Sequence, residues 1–89
     1  MAYVITVKED NRIMAWGAKL DFMSNGYPRL VNENVAFPTF MVFVNGKDVS
    51  DGVKPKTVIV PEGVEPEKWC YTIADGFYEN PNWEDPDEQ

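Results

Sequence analysis

Turn-forming residues recur at short intervals along this chain, and no helix of ordinary length is supported between them. Asp10-Asn11, Ser24-Asn25-Gly26, Asn45-Gly46, Ser50-Asp51-Gly52 and Asp75-Gly76 each combine residues that tolerate left-handed backbone or hydrogen-bond to it locally. Pro28, Pro38 and the loop PEGVEP at residues 61–66 divide the remaining stretches further. What lies between is short, β-branched and aromatic, the composition of strands. No helical period or capping pattern spans these segments. The expected fold is therefore mainly β: a small antiparallel barrel, or packed sheets, of about five short strands.

The strands can be placed one by one. YVITV at residues 3–7, a polar turn and IMAW at residues 13–16 read as an antiparallel hairpin. Residues 18–23 fit one helical turn or a short strand. Residues 27–29 are extended, because a residue before proline is pushed out of the helical region. VAFPTFMVFV, residues 35–44, is the most hydrophobic stretch and the expected central strand, with Pro38 at an edge, a bulge or the strand's beginning. Asn45-Gly46 after it is the best hairpin signal. Its return strand is either residues 47–49 or residues 57–60. In KWCYTI, residues 68–73, alternation puts Trp69, Tyr71 and Ile73 on one face and Cys70 and Thr72 on the other. Phe77-Tyr78 then pairs back. The expected core is Val4, Ile5, Ile13, Phe40, Val42, Val44, Val58, Val60, Trp69 and Tyr71. Residues 1–78 form the β-rich domain and residues 79–89 an acidic extended tail.

A chain of 89 residues suits one compact domain. Hydrophobic residues make up 44% and aromatic residues 13%, so large rings carry much of a thin core, and oligomerisation is the other common remedy at this size. The net charge is −7, and residues 79–89 hold five acids and no base, which leaves −2 on the rest. Such a tail repels a phosphate backbone, so no direct nucleic-acid binding is expected. The first seven residues carry only a short apolar run with Lys8 after it, unlike a signal peptide. Residues 35–44 are half the length of a membrane span. The expectation is a soluble chain with no membrane association. One thiol is compatible with a reducing compartment.

The absence of His removes the commonest general base and metal ligand, and a single cysteine allows neither an intrachain disulfide nor a cysteine-based zinc site. No enzymatic activity, catalytic residue, cofactor or metal is expected. Cys70, between Trp69 and Tyr71, reads as a small sheet residue rather than a nucleophile. Asp48 and Asp51 in NGKDVSDG miss the calcium-loop spacing, since Val49 stands where an oxygen ligand belongs, and so read as turn acids. Glu62, Glu65 and Glu67 lie in a Pro- and Gly-containing loop, a poor place for a carboxylate pair with one raised pKa. Trp16, Trp69, Tyr78 and Trp83 invite a sugar-stacking reading, although most rings in so small a domain belong to its core. Trp83 stands outside any expected strand, and the expected interface is Phe77, Tyr78 and Trp83.

Two segments, YVITVKEDNRIMAWG near the start and KWCYTIADGFYENPNW near the end, cover about a third of the chain. They resemble the opening and the tyrosine-and-proline ending of small proteins encoded near tail-fibre and baseplate genes in phages and prophages of Gram-positive bacteria. The resemblance implies a non-enzymatic virion or tail-accessory protein that acts through protein partners or self-association. It would sit in the host cytoplasm during assembly and then in the virion. Two alternatives come from other classes. One is an acidic, nucleic-acid-mimicking inhibitor of a host defence nuclease, which the confinement of charge to the tail disfavours. The other is a cell-wall carbohydrate-binding module.

Overall fold

The computed structural model describes residues 1–31 and 35–83. Eight short strands run in chain order: Tyr3–Val7 (β1), Ile13–Gly17 (β2), Leu20–Phe22 (β3), Pro28–Leu30 (β4), Val35–Ala36 (β5), Val42–Val44 (β6), Trp69–Thr72 (β7) and Gly76–Glu79 (β8). Every pairing is antiparallel, and the described residues contain no helix. The protein is mainly β, as expected. Its strands form three small sheets, β2-β1-β6, β3-β4-β5 and β7-β8, rather than a closed barrel. No helix among the described residues is long and apolar enough to cross a membrane.

The expected hairpin is β1–β2. Asn11 takes a φ of 65° in its turn, and the Asp10 carboxylate accepts from the Arg12 amide at 3.0 Å. The register pairs Ile5 with Ala15 and Thr6 with Ile13, which makes Met14 the extra residue of a β-bulge. Without the bulge Ile13 and Ala15 would share a face. With it, Ala15 joins Ile5 in one apolar cluster while Ile13 joins Val4 in another.

Those two clusters explain the architecture. Ile5, Leu20, Leu30, Val42, Val44 and Val49 form the core between the first two sheets. Val4, Ile13 and Val64 form a second core, closed by the partly buried Trp16, Val58, Val60, Trp69, Tyr71 and Phe77. Strand β1 lies between them, so Val4, Ile5 and Thr6 are all fully buried. Burying each of the two aliphatic side chains is worth about 1.5–3 kcal/mol.

Residues 35–44 do not make one strand. Pro38 cannot donate to a ladder, and its carbonyl instead accepts from the Met41 amide at 3.0 Å, closing a turn over residues 38–41. The stretch splits into β5 and β6, which belong to different sheets. Phe40 falls in that turn and is 69% exposed, so its expected place in the core is corrected. Val4, Ile5, Ile13, Val42 and Val44 are buried as expected, and Val58, Val60, Trp69 and Tyr71 are partly buried against the second core.

The Asn45-Gly46 turn forms with both residues at positive φ, 51° and 77°, and Val44 and Lys47 exchange backbone hydrogen bonds across it. No return strand follows. The chain instead swings away as an extended strap, which touches the first sheet through Val58 paired with Ala2. A Cβ on Gly46 would lie 2.8 Å from Ile73 Cγ1, so the turn packs directly on the chain leaving β7.

Candidate functional site

Strands β7 and β8 pair Trp69 with Glu79, Cys70 with Tyr78 and Tyr71 with Phe77. Paired residues share a face, so Trp69, Tyr71, Phe77 and Glu79 lie on one side and Cys70 and Tyr78 on the other. Phe77 packs on Tyr71 with ring centroids 4.6 Å apart and helps close the second core. Tyr78 turns to Cys70 and Asn11. The structure therefore does not bring Phe77, Tyr78 and Trp83 to one surface.

Trp83 is held by a turn rather than a strand. The sequence Asn80-Pro81-Asn82-Trp83 has asparagine and proline where a turn favours them, and the Trp83 amide donates to the Asn80 carbonyl at 3.1 Å. Asn80 anchors the turn. Its amide donates to the Lys68 carbonyl at 2.8 Å, its side-chain Nδ2 to the Glu67 carbonyl at 2.9 Å, and its Oδ1 accepts from Asn82 at 2.9 Å. Lys68 Nζ then lies 5.8 Å from the Trp83 ring centroid, a cation–π arrangement, and 3.4 Å from Glu65 Oε2. Between these groups is an open cleft of about 440 Å³ lined by Glu65, Lys68, Trp69, Glu79, Asn80 and Trp83. The expected tail boundary after residue 78 falls inside β8, and the ordered path continues through this turn. Residues 84–89 lie outside the described residues.

Cys70 is fully buried, its Sγ 3.7 Å from the Asp10 carbonyl. Burial pushes its thiol above the ordinary range, which disfavours the thiolate a nucleophile needs. Burial likewise raises Tyr78, and its neighbour Cys70 adds to the shift. Asp48 and Asp51 accept from the amides of Ser50 and Val53 at 3.0 and 3.1 Å, so each caps its own turn. The Ser50 amide, then the Ser50 hydroxyl and Lys8, hold the Asp48 carboxyl below its usual range. Glu62, Glu65 and Glu67 are exposed.

The sequence singles out Trp83 as a tail residue and Trp69 as a core residue, but not the groups that join them at one cleft. Asn80 was legible only as part of a proline-rich ending, although Asn-Pro-Asn is itself a turn signal. The sequence marks Asn45 as a turn former, yet its side chain is buried and joins distant segments, accepting from the Val4 amide and donating to the Lys56 carbonyl, both at 2.6 Å.

These features define a small antiparallel β domain with an aromatic-walled cleft at one end of a two-stranded hairpin. Comparison with known protein families, curated proteins and solved structures finds no match for the chain.

Proposed function

We propose that this domain is a non-catalytic phage virion or tail-accessory component that works through protein–protein contacts, with Trp83 as an anchor. The observation that carries the reading is a large ring held in place yet reachable: Trp83 is 38% exposed, while the Asn80 turn and Lys68 fix its position. An anchor that is ordered before binding loses little entropy on docking, and tryptophan is over-represented among residues that dominate interfaces. Phe40, Met41 and Ile59 add exposed apolar area elsewhere on the surface. The resemblance of the two end segments to tail-associated proteins supplies the setting, with assembly in the host cytoplasm before incorporation into the virion.

The test compares the native chain with Trp83→Ala by light scattering and by recovery of partners from phage particles. The substitution should abolish partner recovery and leave the melting temperature within a few degrees of the original. A strictly monomeric native chain that recovers no partner would overturn the reading.

The same cleft supports a second reading, a cell-wall carbohydrate-binding module. Trp69 and Trp83 flank Glu65, Glu79 and Asn80, and sugar recognition uses ring faces beside hydroxyl-accepting groups. Adding cell-wall fragments should then shift Trp fluorescence in the native chain and much less in Trp83→Ala. No shift with any fragment would exclude it.

A further inference from the structure

Lys8, Arg12, Arg29 and Lys68 are four of the eight cations of this chain, and each has an acidic partner within 3.4 Å. The other four are Lys19, Lys47, Lys54 and Lys56, and none of these has such a partner among the described residues. Lys47, Lys54 and Lys56 border a single groove of about 520 Å³. None of its lining residues is acidic, and its apolar part is Val58, Tyr71 and Ile73, the last 61% exposed. Asp48, beside Lys47 in sequence, is engaged 3.3 Å from Lys8.

The backbone around the groove is fixed. The Lys56 carbonyl accepts from Asn45 Nδ2, and Val58 exchanges two backbone hydrogen bonds with Ala2. Lys47 ends the tight turn that packs on Ile73. Three ammonium groups with no acidic partner among the described residues are thus presented around an apolar floor, in a chain whose net charge is −7. The complementary ligand is an anionic peptide with few competing bases. Residues 84–89, EDPDEQ, carry four acids and no base. Pro86 limits the conformational entropy that docking must overcome.

We propose that this groove takes residues 84–89 of a second copy, so that copies join head to tail. The inference rests on the protein-contact reading and names the partner. A head-to-tail contact uses two different surfaces on each molecule, so it propagates into a ring or a filament instead of stopping at a dimer.

Two full-length variants separate the surfaces. One carries Lys47→Glu, Lys54→Glu and Lys56→Glu. The other carries E84Q, D85N, D87N and E88Q. By light scattering the native chain should associate with rising concentration, weakening at least about fivefold between about 0.1 and 0.5 M salt. Each variant alone should be monomeric. Their equimolar mixture should form a 1:1 dimer and nothing larger, because the charge-reversed chain donates its tail to the groove of the neutralised chain and neither has a second intact surface with which to continue.

A native chain that is monomeric at millimolar concentration, a variant that still self-associates, or a mixture that forms no dimer would each overturn the proposal. Circular dichroism and melting temperature check that the variants fold. If charge reversal unfolds the chain, Lys→Gln at the same three positions serves as the groove variant. Loss of pairing with Trp83-dependent partner recovery intact removes this inference alone. Pairing that persists when Trp83→Ala has no effect on recovery removes the Trp83 reading instead.

Discussion

Asn45 makes three hydrogen bonds that join β1, the turn after β6 and the strap. A backbone amide can only donate and a carbonyl only accept, so the contacts with Val4 and Lys56 fix which side-chain atom is oxygen and which nitrogen. Asn45→Ala leaves both backbone groups without these bonds and puts a Cβ-bearing residue of low tolerance at a φ of 51°. The expected loss is about 2–4 kcal/mol, read from the denaturant midpoint. Asn45→Gly should recover only the backbone part, and a loss below about 1 kcal/mol for alanine would contradict the account. Phe40 is the opposite case. Phe40→Ala should change stability by no more than about 0.5 kcal/mol, because the ring has little burial to lose. A loss of several kcal/mol would put the ring in the core after all. The sequence made Phe40 look central because hydrophobicity alone does not reveal which side of a proline-made turn faces water. It made Asn45 look like a turn residue because the partners of its side chain lie up to 41 positions away.

At the scale of elements, local signals were the readable ones. Alternation in β7 placed Trp69 and Tyr71 on the core side and Cys70 opposite, and Asp-Asn and Asn-Gly marked two of the turns. The bulge at Met14 left no such signal, since it follows from which residues the two faces of β1 must bury. Pairing of β1 with β6 was equally hidden, being a contact between segments far apart in sequence. Gly46 tests how tightly the turn and β7 are fitted. Gly46→Ala meets both an unfavourable φ of 77° and a side chain 2.8 Å away. It should cost about 1–3 kcal/mol by thermal or denaturant unfolding. Gly26→Ala is the control, with a similar φ of 87° and nothing within 4 Å of the added atom. Equal losses at the two sites would mean that the approach of Ile73 contributes nothing.

For the whole molecule, the buried Cys70 and the half-buried Tyr78 beside it should set the alkaline limit. Both groups are raised in the fold, chiefly by burial. A raised folded pKa means stability that is fully present below the unfolded value and lost as pH rises through the folded one. The melting temperature should therefore hold through neutral pH and fall from about pH 9 upward. Tyr78→Phe and Cys70→Ala should each flatten that fall, and an unchanged alkaline limb in both would refute the assignment. Asp48 acts in the opposite direction, with its contribution lost as pH drops through its lowered folded value. The two-sided burial of β1 has a consequence of another kind. Translation delivers this strand roughly sixty residues ahead of Val64, Trp69 and Tyr71, which cover its Val4 face. At about 5–20 residues per second, a nascent chain waits several seconds with that face uncovered. The ribosome therefore releases the centre of the molecule before its wrapping, and chaperone demand during synthesis should be greatest in that interval.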